Sequence, residues 1–257
     1  NFPFAYSTAG GDTACALAAG CPVIVKAHPA HPKTSDLVAS AINKAVASQG
    51  LPKGVFTHIH GASSAVGEAL VKHPHTKAVG FTGSFAGGKQ LYDWGNQRKE
   101  PIPVFAEMGS VNPVFLLPEK LKLSAVEMAQ QLAASINLSA GQFCTNPGIL
   151  IGIKGESLDI FLKELSELIK KTNPAPMLHD GIHKNYVEKR SKALSTRQVS
   201  VNAVADMEAG SNEGLPTIAT CCAQTFLDNP LLQEEVFGPY SLLVCCDNAD
   251  EMMMISR

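Results

Sequence analysis

Cys144 lies within Gly141-Gln142-Phe143-Cys144-Thr145-Asn146-Pro147-Gly148, between an Ala-rich helical run and an apolar strand-like run. That setting presents a thiol at the end of an element instead of burying it. Thirty-seven residues earlier Glu107 closes another apolar run, in Phe105-Ala106-Glu107-Met108-Gly109. A thiolate can attack an electrophilic carbon to form a covalent adduct, and a carboxylate can activate the water that releases it. The pairing points to covalent catalysis followed by hydrolysis. Taken alone, Cys144 is as readily a buried or incidental cysteine.

Other segments carry weaker signals. Gly80-Phe81-Thr82-Gly83-Ser84 ends a strand, with Ser84 placed to cap the next helix. Free N–H groups and the positive helix end suit a phosphate there, and plain capping explains the serine equally well. Gly83 to Lys89 spells G-x-x-x-x-G-K, but Gln90 stands where a triphosphate loop needs a hydroxyl for Mg²⁺, which argues against a nucleotide triphosphatase. Lys26 closes the run Val23-Ile24-Val25-Lys26 at the strand end where open parallel sheets bind ligands. His28 and His31 sit in a proline-stiffened loop without a second ligand pair, and His58/His60 and His73/His75 read as solvated loop or strand-end residues, so no metal site is expected. Cys221-Cys222 and Cys245-Cys246 fall in strand-like runs whose neighbouring side chains point to opposite faces. These four read as buried structural thiols, and Cys15 and Cys21 as packing cysteines beside a small-residue helix.

The elements that must position these groups follow from periodicity. Helical patterns cover 10–20, 33–49, 63–72 and 84–96, and strand-like runs cover 22–26, 55–60, 78–82 and 102–107. In the second helix Leu37, Val38, Ile42, Ala45 and Val46 define the expected apolar face. This alternation predicts a parallel, doubly wound sheet. The pattern then changes. A helix over 124–139 opens on Ser124 with Glu127 as a capping box, followed by a strand at 148–153, helices at 157–171 and 183–194, and strands at 217–226 and 240–245. The fold class is therefore α/β in two parts, a partial dinucleotide-binding domain over 1–108 and a partial thiol-bearing catalytic domain over 109–257.

A length of 257 residues suffices for such a pair of units. The net charge of −2 gives no argument for a nucleic-acid partner. No apolar run is long enough to span a bilayer, and no leader opens the chain. Seven cysteines without a small-domain disulfide spacing fit a reducing, cytoplasmic setting. The chain starts at Asn1 and stops at Arg257 within structured-looking sequence, which reads as a piece of a longer protein truncated at both ends.

Six segments in order resemble the NAD(P)-dependent aldehyde dehydrogenases: Asn1-Phe2-Pro3, Lys26, Phe81-Thr82-Gly83-Ser84, Glu107-Met108-Gly109, Phe143-Cys144 and Glu235-Val236-Phe237-Gly238-Pro239. The runs 10–32 and 105–118 are most similar to the ketoglutarate-semialdehyde (2,5-dioxovalerate) and fatty aldehyde branch. The resemblance implies oxidation of an aldehyde to a carboxylic acid, with ketoglutarate semialdehyde or a related aldehyde as substrate. It makes Cys144 the nucleophile, through a thiohemiacetal and then a thioester, and Glu107 the activator of the hydrolytic water. The Asn1 amide and the Cys144 N–H would form the oxyanion hole. Lys26 and Glu235 would hold ribose hydroxyls, Ser84 the pyrophosphate and Phe237 the nicotinamide side, with His28, Gly83, Gly88, Met108 and Gly109 also along the cofactor. Many NAD-preferring members carry a glutamate where this chain has Pro29. Without that carboxylate a 2′-phosphate meets no like charge, so NADP is the expected cofactor, with NAD also accepted. The parent enzyme is expected to be a homo-oligomer, and the chain by itself to have little or no dehydrogenase activity. The alternative is a catalytically inactive fragment serving as a binding or structural module.

Overall fold

A computed structural model describes residues Ala5–Arg257. The chain divides into two compact units, one ending at Gly109 and the other spanning Ser110–Arg257.

In the first unit a short helix, α1 (Gly11–Ala18), ends where Gly20 takes a positive φ of 78°. Strand β1 (Val23–Lys26) leads through α2 (Pro32–Ser48) to β2 (Phe56–Ile59). The two strands pair in parallel with Lys26 opposite Ile59. Helix α3 (Ser64–Lys72) leads to β3 (Val79–Gly83), and α4 (Phe85–Asn96) connects it to β4 (Val104–Met108), again in parallel. Each strand–helix–strand segment thus forms the expected parallel pair. The described residues do not join the pairs into one doubly wound sheet, since the β1–β2 and β3–β4 ladders are separate. Alternation of elements sets strand direction within each segment but leaves open which strands become neighbours.

The buried side of α2 runs through Ser35, Ala39 and Val46, with Ile42 packed against Phe56 and Val46. Leu37, expected on that face, is 65% exposed, and Ala45 is exposed too. At 100° per residue Leu37 lies about 200° from Ser35, on the far side of the helix. Cys15 and Cys21 are also exposed, contrary to their expected packing role. Thr13 is the buried residue of α1, which turns Cys15 outward, and Cys21 follows the turn at Gly20.

The second unit is built on a five-stranded sheet of order β5-β6-β11-β10-β8, with β5 (Val114–Leu116), α5 (Pro118–Asn137) and β6 (Ile149–Ile153) opening it. Helix α6 (Glu156–Lys170), the short β7 (Ala175–Pro176) and α7 (Asp180–Ser195) follow. Then come β8 (Ser200–Val204), β9 (Glu213–Gly214), β10 (Thr217–Cys222), α8 (Ala223–Asp228), β11 (Tyr240–Cys246) and α9 (Ala249–Ile255). All ladders of this sheet are parallel except β8–β10. Period-2 alternation divides its buried side chains between two cores. Ile149, Ile151, Leu242, Val244 and Cys246 join Tyr186 and Phe226 on one face. Leu150 and Leu243 join Phe161, Leu165 and Ile169 of α6 on the other. On α5, Ala125, Ala129 and Ala133 form a small-residue stripe on the buried side shared with α6.

Three expectations are corrected here. Helix α5 begins at Pro118, and Ser124 is a kink within it (φ −153°, ψ 36°) whose hydroxyl donates to the Lys120 carbonyl, so the Ser124–Glu127 box is not formed. The strand expected to reach Phe226 stops at Cys222, and Phe226 belongs to α8. Cys222 is consequently not an interior strand thiol. Its sulfur lies 3.2 Å from Thr225 Oγ1, and that hydrogen bond lowers its pKa. Burial pushes Cys221 up to about 12 and Cys246 up to about 11, as inert core thiols require. Leu165→Ala is expected to cost about 2–5 kcal/mol in urea unfolding, whereas Leu123→Ser, at a position 86% exposed, should change stability by less than about 0.5 kcal/mol.

Candidate active site

The thiol is placed by the end of α5. After Asn137 the chain turns through Ser139, Ala140 and Gly141, all with positive φ (50°, 54° and 65°). A Cβ on Gly141 would fall 2.2 Å from the Gly238 carbonyl carbon, so only glycine permits this approach. Buried Gln142 ties the turn down, donating from Nε2 to the Ser139 carbonyl (2.8 Å) and accepting at Oε1 from the Leu178 N–H (2.9 Å). Cys144 follows, exposed, in a turn closed by the Asn146 N–H donating to the Phe143 carbonyl at 3.1 Å.

The backbone of that turn is gripped from the segment before β5. Asn112, with φ 41°, donates from Nδ2 to the carbonyls of Cys144 (2.6 Å) and Asn146 (2.9 Å). The Ser110 hydroxyl also donates to the Cys144 carbonyl. Asn146 in turn donates from its own Nδ2 to the Gly238 carbonyl at 2.9 Å. Asn112, Ser110 and Gln142 were not singled out from the sequence. Asn-Pro, a turn-forming pair, occurs at 112–113, 146–147, 173–174 and 229–230, so it marks turns without singling out Asn112.

Glu235 and Phe237 belong to the same unit and line one pocket with Ser110, Val111, Phe143 and Tyr240. Glu235 Oε1 accepts from the Ser110 N–H at 3.2 Å, and burial raises the Glu235 pKa. Lys189 holds the segment by donating to the Glu235 carbonyl at 3.0 Å, with Glu234 3.4 Å away. The second unit therefore brings together the thiol turn, Glu235 and Phe237.

In the first unit the carboxyl ends of β3 and β4 stand side by side, with Gly83 opposite Met108 and Thr82 opposite Glu107. Ser84 caps α4, its hydroxyl accepting from the Gly87 N–H at 3.2 Å. Gly109, φ 59°, donates its N–H to the Gly83 carbonyl at 3.4 Å. A Cβ on Gly88 would lie 2.3 Å from Met108 Cγ, so this glycine lets α4 settle on β4. The Glu107 carboxylate is exposed beside this junction. Lys26 and His28 stand at the end of the other ladder, where burial lowers the Lys26 pKa and His28 Nδ1 accepts from the Ala30 N–H at 3.1 Å. Asn1 lies outside the described residues.

A model of the aldehyde dehydrogenase family matches residues 1–256. The chain belongs to the aldehyde dehydrogenase family. It is 45% identical, over 99% of its length and 49% of the relative's, to alpha-ketoglutaric semialdehyde dehydrogenase 2 of Azospirillum brasilense. It is 43% identical, over 96% of its length and 47% of the relative's, to the alpha-ketoglutaric semialdehyde dehydrogenase of Acinetobacter baylyi. The chain thus spans about half the length of the curated relatives it matches. A crystal structure of an NAD-dependent benzaldehyde dehydrogenase from Corynebacterium glutamicum shares the fold, with a TM-score of 0.78 and 22% identity over 95% of this chain and 52% of that one. The aldehyde-dehydrogenase-like α/β architecture expected from the sequence is therefore present. Among the described residues no helix is long and apolar enough to cross a membrane.

Asn112→Ala removes this residue's two bonds to the thiol turn and leaves the Ser110 hydroxyl on the Cys144 carbonyl. It is expected to cost about 1–3 kcal/mol in denaturant unfolding and to change the rate at which iodoacetamide labels Cys144, read by mass spectrometry.

Proposed function

We propose that this chain supplies the thiol and most of the cofactor-binding groups of an NAD(P)-dependent aldehyde dehydrogenase. Its aldehyde is ketoglutarate semialdehyde or a related one, as the names of the two 43–45% identical relatives suggest. The observation that carries the reading is the exposed Cys144 on a turn whose carbonyls are fixed by Asn112 and Ser110. A fixed backbone aims the sulfur, and because the Phe143 carbonyl accepts from the Asn146 N–H, the Cys144 N–H faces the other side of that trans peptide. In this role the Cys144 thiolate adds to the aldehyde carbon, giving a thiohemiacetal whose oxyanion accepts from the Cys144 N–H and the Asn1 amide. After oxidation the acyl group is held as a thioester. Glu107 then takes a proton from water as its oxygen attacks the thioester carbon, the C–S bond breaks, and carboxylic acid and free thiol result.

The residues present fit a dinucleotide. The capped α4 start with Gly83 and Ser84 would take the pyrophosphate, and Gly88, Met108 and Gly109 keep the adjoining strand ends close. Lys26 and His28 would hold the adenosine ribose end, and Glu235 and Phe237 the nicotinamide end. When bound, NADP or NAD accepts the hydride. With Pro29 in place of a carboxylate, Lys26 would meet a 2′-phosphate without opposition, which favours NADP. The working enzyme is a homo-oligomer in this reading. The alternative reading is a binding or structural module without turnover.

Four measurements separate these readings. Iodoacetamide should label Cys144 well ahead of Cys15 and Cys21, which are also exposed and so control for access. Equal labelling would favour the non-catalytic module. In the full-length enzyme Glu107→Gln should lower kcat by about 10²–10⁴-fold while leaving thioester formation visible as a burst. NADP should give the higher kcat/KM, and a strong NAD preference would overturn the Lys26–Pro29 argument. An aldehyde panel from ketoglutarate semialdehyde to long-chain aliphatic aldehydes would set the substrate.

A further inference from the structure

The sequence suggests solvated strand-end roles for His58 and His60; His60 follows β2 half exposed, and the structure corrects the expectation for His58. The His58 side chain is only 8% exposed, and Asp36 from the first turns of α2 stands against both imidazoles. Asp36 Oδ1 lies 2.7 Å from His60 Nε2 and 3.5 Å from His58 Nδ1, and the three donor atoms all fall within 4.8 Å of one another. The pairing is non-local, with α2 delivering the carboxylate and the carboxyl end of β2 delivering both rings.

We propose that Asp36, His58 and His60 bind a divalent transition-metal ion of the zinc class. Two imidazoles and one carboxylate are a donor set suited to zinc or cobalt and poorly suited to Mg²⁺ or Ca²⁺, which take oxygen ligands. Metal–ligand bonds of about 2.0–2.2 Å in tetrahedral geometry put donors about 3.3–3.5 Å apart. The Asp36–His58 separation already meets that spacing. The Asp36–His60 pair must open by roughly 0.7 Å on the same criterion. Both of those side chains are at least half exposed and free to make the shift.

The buried ligand is also oriented from behind. His58 Nε2 lies 2.7 Å from the hydroxyl of Ser35, and Ser35 lies 2.6 Å from the hydroxyl of Thr8, both fully buried. The tautomer with Nε2–H donating to Ser35, and Ser35 donating to Thr8, leaves Nδ1 unprotonated, 3.5 Å from Asp36. Such an outer partner on the non-ligating nitrogen is what a metal-bound imidazole requires. Burial and the neighbouring His60 favour the neutral ring, the form that ligates, against an opposing pull from Asp36. The exposed sides of Asp36 and His60 leave a fourth position for water or an anionic ligand.

The test is a Co²⁺ titration of the chelator-treated protein with its thiols blocked by iodoacetamide. One equivalent should bind, with the visible absorption of tetrahedral cobalt and no thiolate charge-transfer band, and Zn²⁺ should displace it. His60→Ala and Asp36→Asn, both at exposed positions, should each weaken binding at least tenfold. Ser35→Ala should weaken it about 10–100-fold. The exposed pair His73 and His75, whose rings are 5.3 Å apart, serves as control, and His73→Ala should leave binding unchanged. Absence of stoichiometric binding, binding that survives both His60→Ala and Asp36→Asn, or equal loss in His73→Ala would overturn the proposal.

Discussion

The carboxamide of Asn112 donates to the carbonyls of Cys144 and Asn146, and the shape of the thiol turn depends on that grip. A tight turn leaves carbonyls that its own backbone cannot satisfy, and a buried carbonyl without a partner costs free energy comparable to a lost hydrogen bond. A single side-chain amide with two hydrogens answers two carbonyls at once. It reaches them because Asn112 adopts a left-handed backbone conformation that asparagine accepts more readily than most residues. The thiol is thus exposed on a backbone that is held in place.

The sheet of the second unit carries this arrangement. The segments that form it precede β5, β6 and β11, and because these strands run parallel their amino ends bring the segments to one edge of the sheet. With helices packed on both faces, the strands bury alternate residues in two separate cores, so each strand is fixed in register from both sides. The loops can then depart from regular geometry, as at Ser139 to Gly141, because the strands absorb the cost.

Legibility in the sequence followed the range of the interactions. The exposed turn setting of Cys144 and the strand-end setting of Glu107 were legible because they are written in adjacent residues. Helix limits were close for the same reason, and Ser84 was placed as a cap by its position between strand and helix. Where a contact spans distant segments the sequence was silent. The strand neighbours of the first unit, the Asn112 bonds across thirty-odd residues and the Asp36–His58–His60 group have no local code. Leu37 failed for a geometric reason, since hydrophobicity named it while the helix period turned it to solvent. Ser124 failed because its hydroxyl bonded backward to Lys120 in preference to capping forward. Cys15 and Cys21 were judged by residue type, which says little where a helix is short and its buried side narrow.

Gly141 and Gly238 meet backbone to backbone, and a Cβ on Gly238 would strike the ring of Tyr186 at 2.2 Å. Three successive layers, peptide on peptide on ring, are stacked with no adjustable side chain between them. Most packing contacts can drift, because one residue may shrink while its neighbour grows. Here two layers already have the smallest residue there is, so no exchange of volume is open to them. The segment bearing the sulfur and the segment bearing Glu235 and Phe237 are for that reason coupled like two faces of a joint. A displacement imposed on either would be passed on to the other.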